Sequence, residues 1–247
     1  MRKAIAETAL VAIILAVAGG LVLGGVAYSV IGKGRGQVDL NACKSNVALA
    51  IKSKQFVNLN SCFTRDVGTL DYSGESAKYT DEMASQVARY LYECRFQFGE
   101  LGGVPWKGDF FNGIDACFVC STFNLPKDEA GIETSDILAW MKRSKMTGGE
   151  TYYEYLSKSA PGANPEFLFT DAIEPNANKV VYVDALVKGT PYAVVHWAST
   201  ERRLVQVAGG GLTWSGVESA ESGYSMVFIT PATNLNKACE ITFTRYP

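Results

Sequence analysis

The residues best suited to chemistry are the cysteines, and two of them form a C-x-x-C pair at Cys117 and Cys120. A redox pair of this kind needs its first cysteine at the start of a helix, where the helix dipole lowers the thiol pKa. The surrounding segment 116–125, ACFVCSTFNL, is instead aromatic and apolar and runs into a turn, which predicts a strand. Positions 117 and 120 of a strand face opposite sides. We therefore expect the two cysteines to bond to different partners, with Cys94 and Cys239 as the candidates.

All six cysteines lie beyond residue 36, and their even number predicts disulfides formed in an oxidising compartment. The disulfide candidates are Cys43, Cys62, Cys94, Cys117, Cys120 and Cys239. Cys43 and Cys62 would flank a local loop. A bond from Cys239 to the 117–120 strand would close a much longer one, worth roughly 3–5 kcal/mol. A zinc site is not expected, because the other cysteines are isolated and the chain has a single histidine.

That histidine, His196, lies in the strand-like segment 191–199, PYAVVHWAS. Catalysis would require a nucleophile and an acid beside it, and no flanking sequence resembles a nucleophile elbow or an oxyanion loop. We expect a packed or half-exposed strand residue. Gly209–Gly211 precede LTWSG rather than a helix, so they are expected to form a turn rather than a phosphate cradle. No catalytic residue, metal or cofactor is predicted.

Aromatic residues supply one further candidate. Tyr152, Tyr153 and Tyr155 could form a sugar-binding platform with Trp140. The alternative is that they belong to the core, as aromatic residues on a short amphipathic helix usually do.

Helices are predicted mainly before residue 160. The strongest signal is Thr80–Phe98, with Thr80 as its cap and Cys94 on the apolar face. A weaker helical pattern runs from Leu40 towards Lys52. Two more helices are expected at Thr134–Lys145, with Ile137, Leu138 and Met141 inward, and at 152–158, behind a capping box formed by Thr147 and Glu150.

Strands are predicted mainly after residue 160. A short hairpin loop is expected at Lys188–Pro191, and Cys239 is expected inside the last strand. Helices followed by strands predict an α+β fold, with helices packed on an antiparallel sheet. The predicted strands, besides 116–125, are Phe56–Phe63, Glu166–Thr170, Lys179–Val187, Pro191–Ser199, Leu204–Ala208, Tyr224–Thr230 and Ala238–Thr244.

Three parts of the chain follow from these patterns. Residues 1–35 are predicted to comprise a basic leader, an apolar transmembrane helix and a hinge, followed by an ectodomain. In that ectodomain, residues 36–160 are cysteine-rich and mainly helical, and residues 161–247 are the mainly β part. Beyond residue 36 the chain carries 19 basic and 24 acidic residues, because Arg2, Lys3, Lys33, Arg35 and Glu7 precede it. A mildly acidic domain with scattered charge does not predict a nucleic-acid partner.

The apolar segment contains no charged residue from Thr8 to Gly32, and as a helix these 25 residues would extend roughly 37 Å, enough to cross a bilayer. A plain single-pass anchor, a pilin-type rod and a cleaved signal peptide ending near Ala16-Val17-Ala18 are the alternatives. Membrane lipid is therefore a predicted partner. Flanking charges are nearly balanced, so the cysteines decide the orientation, with the carboxyl-terminal domain outside.

Small residues recur every four positions within this segment, including Ala12, Ala16, Gly20 and Gly24. Such a stripe allows a second helix to approach closely, and it supports the hypothesis of self-association. The alternative is the ordinary abundance of glycine and alanine in membrane helices. Glu7 precedes the apolar run and can lie at the headgroup level, where the helix dipole favours an anion.

The first twenty residues, MRKAIAETALVAIILAVAGG, resemble the amino-terminal segments of archaeal membrane-anchored and type IV pilin-like proteins. In type IV pilins an acidic fifth residue of the processed chain neutralises a neighbouring amino terminus. The resemblance implies that role for Glu7 if cleavage follows Arg2.

Three short motifs of the remaining chain, CFVCS (117–121), YYEYL (152–156) and PYAVVHW (191–197), resemble uncharacterised single-pass archaeal proteins, a group that implies no activity. The sequence thus predicts a membrane-anchored extracytoplasmic structural or interaction protein, which would bind itself or another cell-surface protein. A pilin-like filament subunit and an anchored extracellular enzyme with a dispersed site are the alternatives.

Overall fold

The computed structural model describes residues 40–51, 61–98, 116–127, 131–158, 164–174, 179–199, 202–206, 212–216 and 224–245. Nearly all of them belong to one compact unit, residues 42–247. The predicted apolar segment and Glu7 lie outside the described residues. Within the described ranges, no helix combines the length and the apolar character that crossing a bilayer requires.

The described residues form an α+β fold, as predicted. The helices are α1 (40–51), α2 (Tyr79–Phe98), α3 (Thr134–Arg143), α4 (Tyr152–Ser157) and α5 (Leu235–Ala238), with 3-10 turns at Ser76–Lys78, Pro165–Leu168 and Ala232–Asn234. The strands are β1 (Arg65–Thr69), β2 (Ala116–Asn124), β3 (Ile132–Glu133), β4 (Thr170–Glu174), β5 (Lys179–Tyr182), β6 (Ala185–Leu186), β7 (Tyr192–Ser199), β8 (Arg202–Gln206), β9 (Leu212–Gly216), β10 (Tyr224–Pro231) and β11 (Ile241–Phe243).

The central sheet has the order β1-β2-β7-β10, and β11 also pairs with β2. Strand β7 is antiparallel to β2 and β10, whereas β1 and β11 are parallel to β2. The sheet is therefore mixed, and the prediction of an antiparallel sheet is wrong. Parallel neighbours need a crossover connection, and α2 provides it between β1 and β2. Strand β1 has little apolar alternation, so the sequence pattern did not predict it.

Strands β1 and β11 share one edge of β2, end to end. β11 pairs with residues 116–118 and β1 with residues 121–124. Thr64 lies between them and is fully buried. Its hydroxyl donates to the Val119 carbonyl at 2.7 Å and accepts from the Arg245 N–H at 3.0 Å. This one side chain therefore provides a donor and an acceptor at the junction of the two short strands.

Both faces of the central sheet are covered, which explains the unbroken apolar run of β7. Val194 and Ala198 pack into the core beneath the helices, and Val195 and Trp197 pack into a second core on the opposite face. We call these the helix face and the opposite face. The opposite face is covered by the turn Pro165–Leu168, the β4-β5 hairpin and α5, which contribute Phe167, Ile173, Val180 and Ala238.

Helix α2 forms the centre of the helix face. The predicted residues Met83, Val87, Leu91, Cys94 and Phe98 are all fully buried, at the spacing of a single helical stripe.

The capping predictions for α2 and α4 are wrong. Helix α2 begins at Tyr79 directly after a 3-10 turn, so Thr80 lies inside the helix. The capping box of α4 is formed by Thr151 and Glu154 rather than by Thr147 and Glu150, because the cap must stand immediately before the first helical residue, Tyr152. In α3, Ile137 and Met141 are buried as predicted, while Leu138 is only partly buried.

Several strand predictions need correction. Residues 165–168 form a 3-10 turn that begins at Pro165, and the strand starts later, at Thr170. The predicted strand Phe56–Phe63 lies mostly outside the described residues, and its described end is not a strand. Cys239 follows helix α5 and precedes the last strand. The strands Ala116–Asn124 and Tyr192–Ser199 agree with the sequence patterns.

The predicted hairpin across Lys188–Pro191 is absent from the described part of the chain. Strand β6 pairs with β3, and β7 pairs with β2 and β10. The Val187 N–H donates to the Tyr192 hydroxyl at 2.7 Å. A side chain therefore takes the backbone donor that a hairpin ladder would have used.

Candidate functional site

The six cysteines form three disulfides: Cys43–Cys62, Cys94–Cys120 and Cys117–Cys239. The prediction of disulfide bonds is confirmed, and the two cysteines of the C-x-x-C pair bond to different partners. All six cysteines are buried. Because neither Cys117 nor Cys120 has a free thiol, the pair is structural in this state.

Strand β2 is held from both sides by two of these bonds. Cys117 packs in the core of the opposite face and bonds to Cys239, just after α5. Cys120 packs in the core of the helix face and bonds to Cys94 of α2. We call this arrangement the β2 clamp. It joins three layers of the domain through one strand.

A bulge in β2 accompanies the clamp. The register against β7 shifts between Val119 and Ser121, so that Cys120 has no residue opposite it. An unpaired residue of this kind bends the strand locally and redirects a side chain. The bulge changes the alternation after Cys120, so that Phe123 lies on the helix face together with Phe118 and Cys120. Strand alternation predicts opposite faces for Cys117 and Cys120, but the sequence contains no signal for the bulge.

The third disulfide, Cys43–Cys62, joins α1 to the segment that enters β1. Cys43 and Val47 are both fully buried, one turn apart on the same face of α1. The Asn46 amide donates to the Ser61 hydroxyl at 2.7 Å beside the bond. Helix α1 is thus attached to the domain by a covalent bond, an apolar contact and a hydrogen bond.

His196 is fully buried on the helix face, stacked on Phe98 with ring centroids 4.9 Å apart. Burial lowers its pKa from 6.5 to about 3, and the nearby charge of Arg95 adds to that effect. The imidazole is therefore neutral at physiological pH and enclosed by the core. It serves as a packed strand residue, and it has no access to a substrate in this structure.

A shallow cleft of about 430 Å³ lies between the loop at 71–73 and the start of α2, lined by Asp71, Tyr72, Ser73, Glu82, Ser85 and Gln86. Its polar groups bond to one another. The Ser73 N–H donates to Glu82 at 2.9 Å, and the Gln86 amide donates to the Asp71 carbonyl at 2.7 Å. Hydrogen bonds from Ser73 lower the pKa of Glu82, which makes this carboxylate a weaker base. The cleft therefore fastens a loop to α2.

No group of three or more histidine, cysteine, aspartate or glutamate side chains is arranged to hold a metal ion in the part of the chain that the structure describes. Gly209–Gly211 and the small-residue positions Ala12, Ala16, Gly20 and Gly24 lie outside the described residues.

The aromatic residues of α3 and α4 are largely core residues, the alternative to a sugar-binding platform: Tyr155 is buried, and Trp140, Tyr152 and Tyr153 are partly buried and pack against the core of the helix face. Trp140 and Tyr152 are in contact, with ring centroids 5.5 Å apart. Tyr152 contacts Tyr92 at 6.2 Å, and Tyr92 contacts Phe96 at 6.0 Å and Tyr155 at 5.2 Å. We call these five side chains the aromatic band. Tyr155 is buried, and the other four are partly exposed.

Cations accompany the aromatic band. The Lys44 ammonium lies 3.8 Å from the centre of the Phe96 ring, and the Lys142 ammonium lies 4.9 Å from that of Tyr153, next to Tyr152 in the chain. The Arg95 guanidinium lies 5.0 Å from the centre of the Tyr155 ring. The sequence pattern groups Trp140 with the tyrosines of α4, but it did not predict that Tyr92, Phe96 and the lysines lie beside them. The i, i+4 spacing of Tyr92 and Phe96 on α2 was the available signal.

Comparison with models of protein families, with curated proteins and with solved structures finds no match to this chain.

Proposed function

We propose that this chain is a membrane-anchored extracytoplasmic protein whose disulfide-stabilised domain has a structural or interaction role. The observation that carries the proposal is the pairing of all six cysteines in three buried disulfides. Such bonds persist in oxidising compartments and are rare in the cytoplasm. The charge-free segment from Thr8 to Gly32 supplies the anchor in this proposal.

Two features of the described residues favour an interaction role over catalysis. The single histidine is enclosed in the core, and the polar groups of the cleft beside α2 bond to one another. The partly exposed aromatic band is, by contrast, rich in tyrosine and tryptophan, which are enriched in interaction surfaces.

The anchorage and orientation are tested together in cells that produce the full chain. We expect the protein to remain in the membrane fraction after alkaline extraction, and we expect protease added to intact cells to degrade residues 40–245. Recovery in the soluble fraction would contradict the anchor. Protection of the domain in intact cells, with digestion only after lysis, would contradict the orientation.

A pilin-like filament subunit is the second candidate, favoured by Glu7 and by the small-residue stripe at Ala12, Ala16, Gly20 and Gly24. Amino-terminal sequencing combined with electron microscopy of shed material separates the candidates. A chain that begins at Lys3 and forms filaments would support the filament subunit. An intact Met1 without filaments would leave the plain anchor.

A further inference from the structure

We propose that the aromatic band, together with Lys44 and Lys142, lies against the headgroup region of the bilayer that holds the chain's own apolar segment. The inference rests on the proposed membrane anchorage and adds to it a specific membrane-facing surface of the folded domain. The ligand class is an anionic phospholipid surface.

The composition of the surface matches that of a membrane interface. Trp140, Tyr152 and Tyr92 are partly exposed rings with polar tips, at centroid separations of 5.5 and 6.2 Å. Tyrosine and tryptophan concentrate at the level of lipid headgroups, where one part of the ring is in an apolar environment and the other is hydrated. Phe96 extends the same surface with a purely apolar ring, 6.0 Å from Tyr92.

The lysines supply a charge that suits anionic headgroups. The Lys44 ammonium lies over the Phe96 ring and the Lys142 ammonium over the Tyr153 ring, so each positive charge stands at the face of an aromatic side chain. Long basic side chains that cover apolar surface while their charge remains hydrated are typical of membrane interfaces. The chain beyond residue 36 is otherwise acidic, with 24 acidic against 19 basic residues. Lys44 and Lys142 therefore place two positive charges beside aromatic rings in a part of the chain whose net charge is negative.

The length of the chain favours the bilayer over another partner. Seven residues, 33–39, separate the apolar segment from α1. Even fully extended, they span no more than about 30 Å. Lys44, in the second turn of α1, is thereby confined close to the membrane in which the anchor is inserted. A partner that is always within this distance needs no diffusional encounter, and its effective concentration is high.

The test uses the full chain reconstituted in vesicles that contain one third anionic phosphatidylglycerol, with brominated lipids as quenchers of tryptophan fluorescence. Trp197 is fully buried and serves as an internal reference. We expect bromines near the headgroup to quench part of the emission, and we expect that part to disappear in Trp140→Phe. Flotation of the vesicles, measured in parallel, reports the anchor alone and should be equal for both chains.

Charge-reversal variants sharpen the test. Lys44→Glu and Lys142→Glu should each lower the ratio of docked to undocked domain by roughly 25-fold, because each replacement changes the charge by two units and one unit near an anionic surface is worth about fivefold. Lys237→Glu is the matched control, because Lys237 lies on α5, which covers the opposite face of the sheet. It should leave the quenching unchanged. Unchanged near-ultraviolet circular dichroism would show that the variants remain folded.

The outcomes separate the two proposals. If the chain floats with the vesicles but the quenching does not depend on Trp140, the membrane-facing surface is wrong and the anchor stands. If the chain does not float, the anchor is wrong and the inference falls with it. Saturable binding of a soluble glycan or of a second copy of the chain through Trp140, with no quenching by lipid, would also overturn the inference.

Discussion

Each face of the central sheet is joined to its covering layer by one disulfide, but the two disulfides lie in different surroundings. On the helix face, Cys94–Cys120 links residues 26 apart and joins β2 to a helix of 20 residues. On the opposite face, Cys117–Cys239 links residues 122 apart and follows a helix of only four. Adjacent residues of β7 show the same contrast, since His196 lies on the helix face and Trp197 on the other. One face is thus held by extensive packing and contains a titratable group, whereas the other depends more on its covalent bond.

The largest expected effect follows from the opposite face. Replacing Cys117 and Cys239 together by alanine should lower the free energy of unfolding by about 3–5 kcal/mol, because the bond closes the longest loop. Urea unfolding measures this change. Hydrogen exchange should also show lost protection in α5 and β11, which have few residues of their own to hold them.

The matched pair is Cys94→Ala with Cys120→Ala. Here we expect a smaller loss, about 3 kcal/mol, with α2 still protected by its buried stripe. A larger cost on the helix face than on the opposite face would contradict the contrast between them.

The second prediction concerns acid. The pKa of His196 is about 3 in the folded chain against 6.5 ordinarily, so the unfolded chain binds one more proton between these values. The contribution of the buried neutral His196 to the free energy of unfolding is therefore fully present above pH 6.5. It is lost as the pH falls towards 3, at up to about 1.4 kcal/mol per pH unit. His196→Phe should remove this slope, measured by urea unfolding at several pH values. Trp197→Phe, on the opposite face, should retain it; equal slopes in the two variants would show that another group is responsible.

The third prediction concerns the edge of β2, where the two faces meet. Thr64→Val removes the hydroxyl that bonds both Val119 and Arg245, and it leaves a buried acceptor and a partly buried donor with one fewer partner. We expect a loss of about 1–3 kcal/mol in the free energy of unfolding. Thr242→Val, at an exposed position of β11, is the control and should change stability by less than about 0.5 kcal/mol. Similar losses in both would assign the effect to strand composition instead of the junction.

How far the sequence determined these results depends on the range of each signal. Helix α2 and strand β7 were predictable because the spacing of their buried residues repeats within one element. The opposite directions of Cys117 and Cys120 were predictable for the same reason, since both lie on one strand. The parallel pairing of β1 and β11 with β2 was not, since it depends on contacts between segments far apart in the chain. Only part of the aromatic band could be predicted from the sequence. Trp140 and Tyr152 lie close together in the chain, whereas Tyr92 comes from a distant helix.

The smallest expected effect tests one such local signal. Thr151→Ala removes the cap of α4 and should cost about 1 kcal/mol, because the Glu154 N–H loses its acceptor. Thr147→Ala alters the position that the sequence pattern favoured and should cost less than about 0.5 kcal/mol. Thermal unfolding of the two variants compares them directly, and a larger cost at Thr147 would place the cap there after all.

Disulfide mapping of the full chain, purified without reductant, tests the central claim most directly. Alkylation of free thiols followed by proteolysis and mass spectrometry should find no alkylated cysteine and should find the pairs Cys43–Cys62, Cys94–Cys120 and Cys117–Cys239. Six alkylated cysteines would contradict both the β2 clamp and the proposed extracytoplasmic location, whereas a bond between Cys117 and Cys120 would contradict the clamp alone.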